Sequence, residues 1–180
     1  MSRAPVHDLD TAPIAARDIL AGLRKRFGAI LNTHGEMAHA PVALAACVGI
    51  PSAITNYGTF DRRTREAISL AVGTVDQCHY CQAMHTSAAQ RAGWTIDQTL
   101  ALRAGRGVEP KLDALLAVAR QAVAHIGEVD ERTWQQALGV GWTLEESAEL
   151  FVYLAADVFT SYFNHYVGTD LDFPSAPPLS

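Results

Sequence analysis

The sequence predicts an all-α fold, and three observations support this prediction. Apolar residues recur at helical spacing in segments that are bounded by glycine, proline or capping residues. No alternating apolar and polar run is flanked by turns, so strands are not supported. The chain has 180 residues, which suits one domain with its own core. We expect an arm without a pattern at 1–10, a helical domain at 11–170 and a proline-rich, extended tail at 171–180.

The first two predicted helices lie before residue 58. Thr11 is the expected N-cap of the first helix, which has proline in its first turn and ends at Gly28. A loop follows. Pro41 then opens a strongly apolar second helix, which continues to about Tyr57. Its composition predicts that it is buried.

The next two predicted helices carry the most chemically active side chains. Asp61 is a good N-cap for the third helix, which should stop near Asp76. The fourth helix starts at about Cys78, and Gly93 is well placed to end it in the left-handed conformation.

Four more helices are predicted in the second half of the chain. Two of them open with the pattern of a capping box, Thr95 with Gln98 and Thr143 with Glu146. The last helix is expected to be the longest. The expected segments run from Thr95 to Gly105, from Pro110 to Gly127, from Asp130 to Gly139 and from Thr143 to Val167.

Composition and charge narrow the classes of partner. Hydrophobic residues make up 49% and charged residues 18% of the chain, which favours an apolar face that meets another subunit. A net charge of -5 gives no basic surface for nucleic acid or anionic lipid. The apolar run 150–167 contains Asp157, Asn164 and His165, which favours a buried helix over a membrane span. With no apolar targeting segment at the amino terminus, we expect a cytoplasmic protein.

The candidate site lies between Glu66 and Gly93. Cys78 and Cys81 form a C-x-x-C pair, and His85 follows four residues later. On a helix these three residues occupy positions i, i+3 and i+7, which places them on one stripe. Glu66 is the only acid close upstream within an apolar run. This combination predicts a reactive site.

A C-x-x-C pair at a helix start suits thiol chemistry. The free N–H groups and the positive dipole end stabilise a thiolate, which favours Cys78 as the nucleophile, and the second thiol can close a disulfide. His85 can take or donate a proton, and Glu66 can orient His85 or pass protons through a water. These roles are typical of a thiol peroxidase or a disulfide reductase.

Other interpretations of the same residues remain open. The pair and a histidine resemble half of a zinc site, which Cys47 or another histidine would have to complete. A zinc-stabilised or redox-sensing interaction module is therefore one alternative. A non-redox enzyme that uses Glu66 and His85 for acid–base chemistry is another. Cys47 itself, in an apolar helix, is expected to be a packing residue.

A simple hairpin of the third and fourth helices would not bring Glu66 to the cysteines. Glu66 would lie about 15 Å along the helix axis from the turn, and Cys81 only about 6 Å from it. A steep crossing, a bridging water or a contact from another subunit would be needed for Glu66 to act on Cys81. The sequence does not choose among these.

The central motif resembles the AhpD-like branch of the carboxymuconolactone decarboxylase family. The residues that carry the resemblance are Glu66, then Cys78, Cys81 and His85 at the same spacing, within EAISLAV-x5-C-x-Y-C-x3-H-x3-A-x3-G. It extends to HAP at His39 and to FNHYVGTDLDFP near the carboxyl end, so it covers most of the chain.

The resemblance implies an AhpD-like alkylhydroperoxidase with an all-helical fold, assembled as a homo-oligomer, a trimer or a hexamer. It implies that Cys81 attacks the hydroperoxide, that Cys78 resolves the product, and that Glu66 and His85 relay protons. It implies no cofactor and no metal. The redox-active group is the Cys78–Cys81 disulfide. The expected electron donor is an external thiol reductant, such as a lipoylated or thioredoxin-like protein.

One pair of residues departs from the family pattern. The best-known members carry a histidine directly before the second cysteine, whereas this chain has Tyr80 there and His79 one place earlier. We treat Tyr80 and His79 as secondary site residues. The family's decarboxylases generally lack the cysteine pair, so its presence argues against lactone chemistry.

Overall fold

The computed structural model describes residues 2–179, and all of the regular structure in that range is helical. The predicted all-α class is confirmed. The helices are α1 (Ile14–Phe27), α2 (Asn32–Met37), α3 (Pro41–Tyr57), α4 (Arg62–Val75), α5 (His79–Arg91), α6 (Ile96–Arg103), α7 (Pro110–Ala124), α8 (Glu131–Gly139) and α9 (Leu144–Val167).

Helix α4 lies at the centre of the fold. It packs against α5, α6, α7 and α9, and every residue from Ala67 to Gly73 is buried. A helix that is buried on all sides in this way forms the centre of a core rather than a surface. Glu66, the acid of the candidate site, directly precedes this buried stretch. The packed helix therefore holds the backbone of Glu66 in a fixed position.

The predicted caps are present and set where the helices begin. Asp61 accepts a hydrogen bond from the backbone N–H of Thr64 at 2.7 Å, and both predicted capping boxes form at the starts of α6 and α9. Such caps satisfy N–H groups that have no partner within the helix, and each typically contributes about 1 kcal/mol. Gly93 has the predicted left-handed conformation after α5, with φ of 97°.

A tight turn joins α4 to α5. Gln77 has φ of 53°, and the Cys78 N–H donates to the carbonyl of Gly73 at 2.9 Å. This is the hydrogen bond that closes a helix end around a left-handed residue. Helix α5 then begins at His79 with no intervening loop. A Cβ at Gly73 would lie 3.1 Å from the Cβ of Cys81, so glycine there lets the two helices approach closely.

The structure corrects three expectations in the first half of the chain. The predicted loop contains the short helix α2, whose residues 33–37 are buried. Thr11 is not the cap of α1: its hydroxyl donates to Asp8 at 2.8 Å, and Pro13 occupies the cap position. Helix α3 is not buried as its composition suggested, because only Leu44 and Cys47 among its 17 residues are buried.

The arm and the tail both pack on the helical body. Near the amino terminus, the Arg3 N–H donates to the carbonyl of Val167 at 2.7 Å. In the tail, Phe173 contacts the ring of Tyr80, and the carbonyl of Pro177 accepts a 2.6 Å hydrogen bond from Arg103. The tail therefore crosses the start of α5, which is where the cysteines lie.

Large apolar side chains remain exposed on α3 and α9. The exposed fractions are 79% for Val42, 84% for Tyr57, 65% for Phe151, 64% for Tyr162 and 76% for Tyr166. An assembly of identical chains would cover such faces. The homo-oligomer stays a prediction, which light scattering of the purified chain would test.

None of the helices in residues 2–179 has the combination of length and apolar composition that crossing a membrane requires.

Candidate functional site

The cysteine pair lies at the start of α5, as the sequence predicted. Cys78 and Cys81 are joined by a disulfide, with their Cα atoms 5.3 Å apart. Cys78 is the N-cap residue, and its Sγ accepts a hydrogen bond from the Cys81 N–H at 3.1 Å. Both are buried, with 1% and 4% of their surfaces exposed. The free N–H groups of this first turn are oriented to stabilise a thiolate when the pair is reduced.

A polar stripe on α9 faces the two sulfur atoms. The Ser161 Oγ lies 3.3 Å from the Cys81 Sγ, and the Asn164 Nδ2 lies 3.6 Å from that sulfur and 3.9 Å from the Cys78 Sγ. With Asp157 these residues occupy i, i+4 and i+7 of one helix face. Sequence reasoning missed them as site residues. The signal was a polar stripe at helical spacing inside the most apolar run of the chain.

Glu66 reaches His85 directly and not Cys81. The His85 Nδ1 donates to the Glu66 Oε2 at 2.9 Å, and both side chains are mostly buried, at 16% and 17% exposure. The antiparallel arrangement explains this contact, since His85 lies one turn further from the α4–α5 turn than Cys81 does. As expected for a simple hairpin, Glu66 does not reach Cys81. It contacts His85, which lies one turn further along α5.

The contact with Glu66 favours the positively charged form of His85. Burial by itself opposes the charge of both groups. The hydrogen bond and the charge of Glu66, with the charge of Asp157, nevertheless raise the pKa of His85 above its usual value. The same hydrogen bond and charge, with Arg62 and Arg65, lower the pKa of Glu66. Both pKa shifts favour an imidazolium–carboxylate pair.

Asp157 is a second carboxylate in the same region. Its Oδ1 accepts a hydrogen bond from the Ser69 hydroxyl at 3.1 Å, and its Oδ2 is buried without a partner among the described residues. Burial raises the pKa of Asp157 from 3.8 to about 6, although the charge of His85 and the bond from Ser69 act in the opposite direction. A carboxyl group that changes charge near pH 6 beside His85 can tune the charge of that histidine.

The raised pKa of Asp157 predicts a pH-dependent cost to folding. The folded chain holds this proton up to about pH 6, while the unfolded chain loses it near 3.8. The cost is therefore absent below pH 3.8, grows as pH rises, and reaches the order of 1–3 kcal/mol above pH 6. Asp157→Asn is expected to be more stable relative to wild type at pH 8 than at pH 4.5, as measured by urea unfolding.

Burying the asparagine amide has a free-energy cost that does not depend on pH. This cost cancels when the stability difference between variant and wild type is compared at the two pH values. Asp18→Asn, which changes an exposed carboxylate on α1, is the matched control and should show a pH-independent difference. An Asp157→Asn difference that is equal at both pH values would contradict the inferred burial cost.

The secondary residues lie in different environments. Tyr80 is buried, and its hydroxyl donates to Asp172 of the tail at 2.5 Å. The same carboxylate oxygen accepts the Asn32 N–H at 2.9 Å. His79 points to the surface and does not line the cavity described below. Tyr80 therefore ties the tail to the cysteine helix, which is a structural role that the sequence did not indicate.

Cys47 is a packing residue, as expected. It is buried in the cluster formed by α1, α2 and α3, and burial raises the pKa of its thiol to about 11. Within residues 2–179, no three His, Cys, Asp or Glu side chains are grouped so as to hold a metal ion. Nothing in that part of the chain completes the half zinc site that the C-x-x-C spacing suggested.

A cavity of about 630 Å³ opens beside the cysteine pair. Its wall includes Cys81, His85, Glu66 and Asp157, but not Cys78. This volume lies within the range of pockets that bind small organic molecules, roughly 300–1,000 Å³. A molecule in the cavity would therefore meet Cys81 first.

Comparison with known sequences supports one family. Residues 41–124 match the model of the carboxymuconolactone decarboxylase family. Over 73 residues the chain is 34% identical to uncharacterized protein 4 in the cox locus of Paracoccus denitrificans. That match covers 41% of this chain and 65% of the relative, so it spans less than two thirds of the relative's length.

Solved structures share the fold over nearly the whole chain. A peroxidase-related protein of Ralstonia eutropha JMP134, described as an alkylhydroperoxidase AhpD core, superposes with a TM-score of 0.84 at 20% identity, covering 95% of this chain and 92% of that one. The debrominase Bmp8 in complex with 2,3,4-tribromopyrrole gives 0.79 at 16% identity, covering 94% and 91%. A peroxidase-related protein of Silicibacter sp. TM1040 gives 0.78 at 14% identity, covering 94% and 91%. At these identities the likeness concerns the fold.

Proposed function

We propose, because residues 41–124 match the carboxymuconolactone decarboxylase family model and the fold is AhpD-like, that the chain reduces organic hydroperoxides with its cysteine pair. One observation carries the proposal: Cys81, the cysteine of the bonded pair that lines the cavity, lies one helical turn from the charged Glu66–His85 pair. A redox-active sulfur, a proton donor and space for a small molecule thus meet in one place.

In the first step the Cys81 thiolate attacks one oxygen of the hydroperoxide. A sulfur–oxygen bond forms and the oxygen–oxygen bond breaks, which leaves Cys81 as a sulfenic acid and an alkoxide as the departing group. His85 is charged and its Nε2 has no hydrogen-bond partner among the described residues. That N–H can protonate the alkoxide, and Glu66 holds the ring in position.

In the second step Cys78 resolves the sulfenic acid. The Cys78 sulfur attacks the Cys81 sulfur, the disulfide forms, and the sulfenic oxygen takes protons and departs as water. The two thiols thus supply the two electrons that reduce the hydroperoxide to an alcohol and water. The short separation of the cysteines supports this closure, because their Cα atoms lie 5.3 Å apart in the bonded form.

The cycle needs a dithiol to restore the reduced pair. A lipoylated or thioredoxin-like protein supplies two electrons and two protons by thiol–disulfide exchange through a mixed disulfide. The tail that crosses the start of α5 must leave a path to one sulfur atom for this exchange. The same chemistry without peroxide would make the protein a disulfide reductase.

The test is a single turnover of the reduced protein with cumene hydroperoxide. Thiol loss is followed with time, and the peptide that contains Cys78 and Cys81 is weighed by mass spectrometry. We expect fast loss of two thiols per chain, one equivalent of alcohol, and an internal Cys78–Cys81 disulfide.

Survival of both thiols through many equivalents of peroxide would refute peroxide reduction. Reaction with lipoamide in the same experiment would then support a disulfide reductase. If neither compound reacts, an acid–base enzyme that uses Glu66 and His85 without sulfur chemistry becomes the stronger interpretation.

A further inference from the structure

We infer that the cavity beside Cys81 selects amphipathic anions, namely hydroperoxides that carry a carboxylate and a long apolar body. This inference rests on the proposed function and adds to it the chemical class of the substrate. It depends on the arginines at the cavity wall, on the apolar side chains that form much of the rest of that wall, and on polar atoms that lack partners there.

Positive charge is concentrated at this cavity although the chain as a whole is acidic. Arg26, Arg62, Arg65 and Arg91 line it, against only two carboxylates, while the net charge of the chain is -5. The charged His85 adds to the imbalance. A pocket whose charge is opposite to that of the surrounding protein attracts and orients an anion.

Arg62 and Arg65 are the two arginines best placed to hold a carboxylate near the sulfur. They precede Glu66 by four residues and one residue on α4, so Arg62, Glu66 and Ser69 follow one face of the helix. Their charges reach the site, because both lower the pKa of Glu66. The rise of the helix places the Arg62 backbone about 6 Å from that of Glu66.

The neighbouring Arg63 shows what an arginine with a structural role looks like in this helix. Its guanidinium pairs with Glu109 at 2.9 Å and lies 3.7 Å from the centre of the Trp94 ring. The guanidinium groups of Arg62 and Arg65 form no hydrogen bond or ion pair within residues 2–179. Two guanidinium groups thus remain available to a carboxylate, whose two oxygens match their donor geometry.

The rest of the wall suits an apolar chain. It is formed largely by apolar side chains from α1, α3, α5, α9 and the tail, among them Phe27, Ile50, Ile54, Met84, Phe159 and Phe173. Burying an apolar chain against such a surface is favourable. A small neutral peroxide would use little of this surface.

Polar atoms without partners lie in the same wall. Four cavity residues have a buried nitrogen or oxygen that makes no hydrogen bond within the described chain, and the atoms are Thr33 Oγ1, His34 Nδ1, Asp157 Oδ2 and Asn164 Oδ1. Leaving a buried polar atom unpaired is unfavourable. A carboxylate or peroxide oxygen can accept a hydrogen bond from the Thr33 hydroxyl, or from the His34 Nδ1 when that nitrogen carries the proton, and the O–H of a hydroperoxide can donate to the Asp157 Oδ2 or the Asn164 Oδ1.

The first test compares the hydroperoxide of linoleic acid with its methyl ester, which has the same body and no charge. Because an arginine–carboxylate contact contributes about 1.5–3 kcal/mol, we expect the acid to react at least about tenfold faster in single turnover at limiting concentration. The double variant Arg62→Gln, Arg65→Gln should bring the acid-to-ester ratio close to one. The control Arg132→Gln removes an exposed arginine of α8 and should keep the wild-type ratio.

The second test does not depend on catalysis. The corresponding hydroxy acid and its methyl ester are titrated into the disulfide form by calorimetry, and we expect the acid to bind at least about tenfold more tightly. Equal reaction of the two hydroperoxides, or equal binding of the two hydroxy compounds, would overturn the inference and leave peroxide reduction intact. Selective binding of the acid without peroxide reduction would refute the proposed function and support the anion site.

Discussion

Cys81→Ser is expected to abolish the reaction with hydroperoxide, with a loss of at least about a thousandfold in the single-turnover rate. A serine hydroxyl is a far weaker nucleophile than a thiolate at neutral pH. The Cys81 sulfur lines the cavity, and the Ser161 and Asn164 side chains surround it. Cys47 also lines the cavity, but burial raises the pKa of its thiol to about 11, so it stays protonated near neutral pH and should not replace the attacking sulfur. Thiol loss by the variant should therefore stay close to that of a blank.

Cys78→Ser is expected to separate attack from resolution. Cys81 should still react, because its own environment is largely kept, but no internal disulfide can close. The sulfenic acid should then accumulate, and dimedone should trap it on Cys81 for mass spectrometry. Cys47→Ala is the control: this thiol also lines the cavity, but it packs in the cluster of α1, α2 and α3 and burial raises its pKa to about 11, so two thiols per chain should still be consumed.

The reverse pattern would change the assignment. If Cys78→Ser were inactive and Cys81→Ser formed a trapped sulfenic acid, Cys78 would be the nucleophile, as the helix dipole alone favours. The cavity argues against this outcome, because Cys78 does not line it. Cys78 is also the cap of α5, with its sulfur occupied by the Cys81 N–H.

Local chemistry made most of the fold predictable. Asp61, Thr95 and Thr143 begin their helices because their side-chain oxygens accept the N–H groups left free there, and this depends only on neighbouring residues. The C-x-x-C pair and His85 share a stripe for the same reason. Such features need no knowledge of the tertiary structure.

Burial and long-range contacts were harder to predict from the sequence. The apolar composition of α3 predicted a buried helix, yet most of it is exposed in the single chain, because composition does not reveal whether the chain itself or a partner covers a face. The short helix α2 contains poor helix formers and is held by tertiary packing. The tail contact of Asp172 with Tyr80 joins residues 92 positions apart, which no local pattern encodes.

Asp157 shows how a site residue can be overlooked. In the sequence it served only as an argument against a membrane span. Its position relative to Ser161 and Asn164 already defined a polar stripe within a strongly apolar helical segment. Buried helices seldom keep such stripes without a use, so this spacing was the available signal.

His85→Gln is expected to slow the first oxidation step by about 10²–10⁴-fold, because the departing alkoxide then lacks its proton donor. Glutamine keeps a polar side chain of similar size but carries no transferable proton near neutral pH. Glu66→Gln should have a smaller effect on the rate, since His85 remains. The measurement is the single-turnover rate constant for cumene hydroperoxide as a function of pH.

The pH profile distinguishes the role of Glu66 from simple support of the fold. Glu66 raises the pKa of His85, so in wild type the protonated donor persists as pH rises, and the rate falls only above the usual pKa of histidine. Without the carboxylate, burial dominates and lowers that pKa, so the alkaline fall in rate should move to lower pH in Glu66→Gln. Glu109→Gln, which breaks the exposed pair with Arg63, is the control and should leave the profile unchanged.

The pH dependence of the free energy of unfolding should follow from the same pKa shifts of His85 and Glu66. The raised pKa of His85 contributes stability that is complete below pH 6.5 and is lost as pH rises through the folded value. The lowered pKa of Glu66 contributes stability that is present above pH 4.5 and is lost as pH falls. The pair therefore stabilises the fold most between these limits. An alkaline limb that stays in place in Glu66→Gln would show that Glu66 does not set the charge of His85, and the proton relay would then have to be abandoned.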